Sequence, residues 1–233
     1  MKAIGLLGGM SWESTAVYYR LLNEMARERM GGLHSAEILM RSFDFAPIAE
    51  LQANADWDAA SQLLVEAAQG LEAAGARCLL IGTNTMHICA EAIEAAVSVP
   101  LLHIADVTAR AIQDAECSSP LLLATRFTME QDFYTGRLRD THGIDVCLPD
   151  DNEREDVHRI IYEELCQGKI DARSKQRYLD IIGTAHQRGA DGVILGCTEI
   201  GLLISQGDIS LPVFDTTWLH VRAAVEFALE SDG

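Results

Sequence analysis

Among the six cysteines, Cys78, Cys89, Cys117, Cys147, Cys166 and Cys197, there is no Cys-x-x-Cys pair and no regular spacing. A disulfide framework or a structural zinc site is therefore not expected, and most of these thiols read as small buried hydrophobes. Basic charge is scarce: 18 Lys and Arg stand against 35 Asp and Glu, a formal net charge of −17. With no local basic patch to offset it, nucleic acid and anionic membrane surfaces are not expected partners. No apolar run approaches the roughly 18 residues of a membrane span, and no signal-peptide pattern precedes the first apolar run, so a cytoplasmic location is the expectation. The dinucleotide fingerprint Gly-x-Gly-x-x-Gly is also missing, since Gly5-Leu6-Leu7-Gly8-Gly9-Met10 does not supply it. What the 233 residues do contain is 48% hydrophobic side chains, enough for a full core in one large domain or two small ones.

The chain is organised around an internal echo. Gly189-Ala190-Asp191-Gly192-Val193-Ile194-Leu195-Gly196-Cys197 repeats the order of Gly75-Ala76-Arg77-Cys78-Leu79-Leu80-Ile81-Gly82-Thr83. Val99-Pro100-Leu101-Leu102-His103 and Leu211-Pro212-Val213-Phe214-Asp215 form a second pair at nearly the same offset. Both point to a duplicated unit in which Cys197 answers to Thr83.

Each half alternates strand and helix. Ala3 to Leu7 reads as a strand running into Gly8-Gly9, and Ser11 caps a helix whose apolar stripe is Val17, Tyr18, Leu21, Leu22 and Met25. Strands are expected at 37–42, 78–81 and 101–104, then at 121–124, 144–147, 193–195 and 211–214, and helices at 58–74, 86–96, 108–115, 129–139, 160–166, 176–188 and 218–229. Phe43 to Gln52 reads as an irregular link and Asp150 to Asp156 as a solvated acidic turn rather than a metal site. This alternation implies an α/β fold with parallel sheets covered on both faces.

In such sheets ligands bind beyond the carboxyl ends of the strands. The candidate loops are thus Gly8 to Ser11, Thr83 to Thr85, Thr125 to Thr128 and Cys197 to Glu199. They are rich in hydroxyls and amides and suit a small polar or anionic ligand, and Cys197 is the obvious reactive atom. A helix starting near Thr198 would lower its thiol pKa. Glu199 is either a helix-start residue favoured by the dipole or a partner for a substrate ammonium. His87 is either a hydrogen-bonding neighbour of the Thr83 loop or an orienter of a catalytic group.

Taken together, Gly8-Gly9-Met10-Ser11, Asn84-Thr85-x-His87 and Gly196-Cys197-Thr198-Glu199 resemble the cofactor-independent aspartate/glutamate racemase family across essentially the whole chain. The N-terminal GLLGGMSWEST is most similar to bacterial L-aspartate/glutamate-specific members. The resemblance implies two similar domains with parallel sheets, related by a pseudo-two-fold and enclosing the active site in the cleft between them. Their expected extents are 1–105 plus 211–233, and 106–210. It implies a homodimer acting on a small acidic amino acid without pyridoxal phosphate or metal. In the family one cysteine works on each face of the α-carbon; Cys197 matches the second, and the first is replaced by Thr83. The same resemblance places Met10, Gln52, Thr83, Asn84, Thr85, Thr125, Phe127, Thr128, Thr198 and Glu199 around the substrate, with Lys169 or Arg126 as a cation for a carboxylate. Because one cysteine is missing, two other readings stay open. One is a single-cysteine decarboxylase of a malonate-like acid, and the other a non-catalytic binder of acidic amino acids.

Overall fold

The structure, a computed structural model, describes residues 1–230. The chain forms two α/β units, one comprising Met1–Ile104 and the chain from His220 onward, the other Ala105–Leu219.

The first unit runs β1 (Ile4–Gly8), α1 (Trp12–Met30), β2 (Ile38–Ser42), α2 (Phe45–Ala53), α3 (Trp57–Ala73), β3 (Cys78–Ile81), a 3-10 turn (Thr85–Cys89) and α4 (Ala90–Ala96). Its sheet is parallel in the order β2-β1-β3. Successive side chains of a strand point to opposite faces, and here both faces are buried. Ile4, Leu6, Cys78 and Leu80 pack with Tyr18, Leu22 and Val221, while Leu7, Leu79 and Ile81 pack with Leu64, Ala68 and Ile93.

The second unit runs α5 (Ile104–Asp114), β4 (Leu121–Leu123), α6 (Arg126–Glu130), α7 (Asp132–His142), α8 (Asp151–Glu163), α9 (Ala172–Gln187), β5 (Val193–Leu195), β6 (Val213–Asp215) and α10 (Thr216–Leu229), with α5 and α10 spanning the unit limits. Its sheet is parallel in the order β4-β5-β6. Each sheet gains a fourth position from an isolated parallel bridge, Leu79 with Leu101 in the first and Leu121 with Cys147 in the second. With these included, β2-β1-β3-Leu101 corresponds step for step to Cys147-β4-β5-β6, in keeping with a duplicated unit.

Several expectations need correction. Phe43 to Gln52 is not irregular, because Asp44 caps α2 through the Ala46 N–H at 3.3 Å and Pro47 falls in the first turn, where a missing N–H costs nothing. Asp150 to Asp156 is not a turn. It opens α8 with a capping box between Asp150 and Glu153, its acids sit at the positive helix end, and Val157, Ile160 and Ile161 supply the buried stripe. The expected strands at 101–104 and 144–147 shrink to single bridges. The expected assignment of 211–233 to the first domain also fails in part: Val193↔Val213 and Leu195↔Asp215 pairing holds β6 in the second sheet, and the first unit resumes only at His220. Among the described residues no helix is long and apolar enough to cross a membrane.

Candidate active site

Two strand ends carry Thr83 and Cys197. Beyond β3, the Gly82 N–H donates to the Leu7 carbonyl at 2.8 Å. Beyond β5, the Gly196 N–H donates to the Leu123 carbonyl, also at 2.8 Å. A Cβ on Gly196 would lie 2.8 Å from Ala124 Cβ, so β5 closes on its neighbour only through glycine, while one on Gly82 would lie 3.3 Å from the Leu7 oxygen, a tight contact. The next residue in each case, Thr83 or Cys197, is half-buried and begins a polar loop that leads into a 3-10 turn. Thr83 and Cys197 therefore occupy equivalent positions in their own units.

The Cys197 thiol donates to Glu199 Oε2 at 2.9 Å. The expectation of a lowered thiol pKa is overturned. Only a 3-10 turn, Ile200–Leu202, follows, too short to carry a helix dipole. Burial first, and then the Glu199 carboxylate, push the thiol well above its ordinary value, since both disfavour the thiolate.

In the first unit the β1 loop is fixed by Thr15, which sequence reasoning missed. The Gly9 N–H donates to Thr15 Oγ1 at 2.7 Å, and that hydroxyl donates to the Ser11 carbonyl at 2.7 Å. Ser11 in turn caps α1 by accepting the Ser14 N–H, as its position before Glu13 suggested. Gly9 is obligatory here: its φ is 85°, and a Cβ would sit 2.3 Å from the Phe43 backbone. A Thr one turn into a helix looks ordinary, so only its reach back to a glycine turn could have betrayed the role.

Met10, Met86 and Ile48 share one buried cluster, flanked by Phe43 and Leu51. Gln52, half-buried on α2, donates from Nε2 to Met86 Sδ at 2.9 Å. Met10, Gln52 and the Thr83 to Met86 segment are thus brought together in the first unit, with Asn84 buried and Thr85 half-buried. In the second unit Thr125 Oγ1 and Thr128 Oγ1 lie 3.3 Å apart at the start of α6, where Phe127 is half-buried. The expected polar loop at 125–128 is in fact the first turn of that helix. His158, which sequence reasoning also passed over, accepts the Arg126 N–H through Nδ1 at 3.3 Å and anchors the turn. Thr198 is half-buried between Cys197 and Glu199. The two expected cations lie on the surface: Arg126 pairs with Glu130 at 3.4 Å, and Lys169 donates to Gln167 at 2.7 Å.

Comparison with known proteins agrees with these motifs. The family model for Asp/Glu/Hydantoin racemases matches residues 7–224. A Yersinia pestis structure assigned to the Asp/Glu racemases is similar with 53% identity and a TM-score of 0.95, covering 99% of this chain and 100% of that one. An aspartate racemase homologue from Pyrococcus horikoshii has 37% identity and a TM-score of 0.90, with coverage of 99% and 100%. The broad specificity amino-acid racemase RacX of Bacillus subtilis is 21% identical over 230 residues, covering 95% of this chain and 96% of its own. The chain belongs to the Asp/Glu/Hydantoin racemase family.

Proposed function

We propose that this protein racemises aspartate, glutamate or both by direct exchange of the α-proton, without pyridoxal phosphate or metal. Cys197 acts on the face of the L-acid and Thr83 on the opposite face. The observation that carries this reading is the equivalence of the two residues, each following the glycine that ends β3 or β5 and bonds the neighbouring strand. Met10, Gln52, Asn84, Thr85, Thr125, Phe127, Thr128 and Thr198 surround the amino acid in this reading, and Glu199 meets its ammonium.

The resting thiol is a donor to Glu199, so the first step is transfer of the Sγ proton to the carboxylate. The positive ammonium beside the pair favours the thiolate it creates. The thiolate then takes the α-proton, and the carbanion left behind receives one on the other face from the Thr83 hydroxyl or from a water it orients. Solvent restores that proton, and Glu199 releases the one it took. General acid–base transfer of this kind contributes typically 10²–10⁴-fold.

The test is solvent exchange in deuterated water with both enantiomers of aspartate and glutamate. Wild-type protein is expected to place deuterium at the α-carbon, and Cys197→Ser to lose that exchange from the L-acids. Exchange by Cys197→Ser at the wild-type rate would end the reading. Release of carbon dioxide from a malonate would instead favour a decarboxylase.

A further inference from the structure

Three histidine rings, His87, His103 and His220, lie together within the first unit, at centroid separations of 4.7 Å for His87 with His103 and 5.6 Å for His87 with His220. The proton-transfer steps above use none of them. All three are at most 3% exposed, an uncommon place for imidazoles unless their nitrogens are satisfied. His220 Nε2 bonds the Leu102 carbonyl at 2.6 Å, and its Nδ1 takes the Tyr18 hydroxyl at 2.9 Å. That ring ties α10 to α1 and to the segment after the Leu101 bridge.

His87 does something different. Its Nε2 lies 3.3 Å from the Ile104 amide nitrogen, which can only donate, so Nε2 carries no proton. The proton is then on Nδ1, which lies 2.9 Å from the Thr83 carbonyl and donates to it. One ring is thus fixed at both nitrogens, and its tautomer follows from its partners. The Thr83 segment is consequently held on both sides: Gly82 by its N–H to Leu7, and the Thr83 carbonyl by His87. Fixing that carbonyl holds the backbone at Thr83, and with it the Cα–Cβ bond that carries the hydroxyl. The other half has no histidine at this point, since the position equivalent to His87 is Gly201; there the Cys197 carbonyl accepts the Ile200 backbone N–H at 3.1 Å instead. The half that carries a threonine in place of the thiol is the one that has a histidine clamp.

We propose that His87 is a positioning residue for the Thr83 face of the reaction, aiming the Thr83 hydroxyl by holding its own carbonyl. This rests on the reading of Thr83 and Cys197 as the two opposed groups. A weak acid such as a hydroxyl, or the water it orients, works only when well placed, since small misplacements cost large factors in rate. The thiol in the other unit does not depend on this clamp. His87 touches neither proton in flight, so it acts through Thr83 and not on the substrate.

Two substitutions separate its bonds. The amide nitrogen of Asn falls near imidazole Nδ1, so His87→Asn keeps a donor for the Thr83 carbonyl and loses the acceptor for Ile104. The amide oxygen of Gln reaches the place of Nε2, so His87→Gln keeps the acceptor and loses the donor. With L-aspartate and L-glutamate in deuterated water, one reads the ratio of D-acid formed to deuterium entering the L-acid. The expected result is a fall of about tenfold or more in that ratio for His87→Gln, with His87→Asn close to wild type. A purely structural role would slow both processes alike and leave the ratio unchanged in both variants, which overturns the proposal. If neither variant folds, nitrogen-15 shifts of His87 in the wild-type protein decide: the Nδ1–H form supports the clamp and the Nε2–H form overturns it. Cys197→Ser is run beside them. Exchange persisting there sinks the two-face reading itself, whereas its loss together with an unchanged ratio in His87→Gln sinks only the clamp.

Discussion

Thr15→Val is the substitution from which the structure allows the most to be worked out. The hydroxyl at Thr15 does two things at once, accepting the Gly9 N–H and donating to the Ser11 carbonyl, each at 2.7 Å. Valine keeps the branched shape and removes both. The Ser11 carbonyl still has the Thr15 N–H at 3.2 Å, so it is not orphaned. The Gly9 N–H loses the side-chain acceptor that holds it, in a loop where Gly9 is buried. Leaving one buried donor unmade costs about 1–3 kcal/mol, equivalent to a fall of roughly 5- to 150-fold in the folding constant. With a urea dependence of about 2 kcal/mol per molar, the midpoint of the first unit's transition should fall by roughly 0.5–1.5 M.

Thr15→Ser is the control. It retains the hydroxyl and removes the methyl, which lies so close to Gly8 that a Cβ there would be 2.6 Å away. Losing that methyl should cost about 0.8 kcal/mol in buried area, less than the valine change. Urea denaturation of the three proteins, followed by hydrogen exchange at Gly9, tests the order. A valine variant as stable as wild type, or a serine variant that is the worse of the two, would refute the claim that the hydroxyl holds the loop.

Thr83→Cys should raise proton exchange starting from the D-acids, because a thiol ionises far more readily than a hydroxyl and so supplies a base near neutral pH; a folded variant with no gain would mean the Thr83 loop cannot present a thiol. Glu199→Gln should move the pH midpoint of Cys197 alkylation downward, since the carboxylate holds the thiol up, though burial, the larger cause, keeps it above an ordinary thiol; an unchanged or higher midpoint counts against the pairing. His220 supplies a stability prediction, because burial holds its pKa down at about 4 instead of 6.5. The unfolded chain takes up that proton near pH 6.5 and the native state resists until about pH 4, so stability should fall as pH drops through this window, by up to about 3 kcal/mol. With His87 and Tyr18 as its neighbours, His220→Gln should flatten that slope, and a slope equal to wild type would assign the acid sensitivity elsewhere.

The parts of the fold that showed in the sequence are those dictated by local pattern. Continuous apolar runs ending in glycine marked β1, β3 and β5, because a strand buried on both faces tolerates little else and the following loop demands a residue without a Cβ. The echo between Gly75–Thr83 and Gly189–Cys197 pointed to a duplicated unit, and the two sheets display a matched strand order. What was lost depended on tertiary partners. An Asp-capped helix with Pro47 in its first turn looks like a link until its amides are counted, and the acidic start of α8 looks like a solvated loop until Val157 and Ile160 are seen buried. The Glu199 effect was hidden for a similar reason. A carboxylate two residues after a thiol can sit anywhere around the turn, and only the 2.9 Å contact decides that it opposes ionisation.

That opposition shapes what the proposed enzyme can do in each direction. Raising a thiol's pKa reduces its ionised fraction by the full amount, about 1.4 kcal/mol for each unit, while base strength recovers only part of it. A Glu199 carboxylate with nothing to balance it would therefore slow removal of the α-proton. A substrate ammonium provides the balance, so the thiolate forms when the amino acid arrives and not before. The form that attacks the L-acid needs Cys197 ionised and Thr83 protonated, one proton transfer from the resting state. The form that attacks the D-acid needs Thr83, or a water it orients, to lose a proton instead, which is far costlier. Yet the enantiomers have equal free energies in achiral solution, and every step runs backward through the same transition state. The mixture must still end at equal amounts, with kcat/KM the same in both directions. The difference between a thiol and a hydroxyl can then appear only as a trade between kcat and KM, and as deuterium entering recovered L-acid faster than D-acid forms.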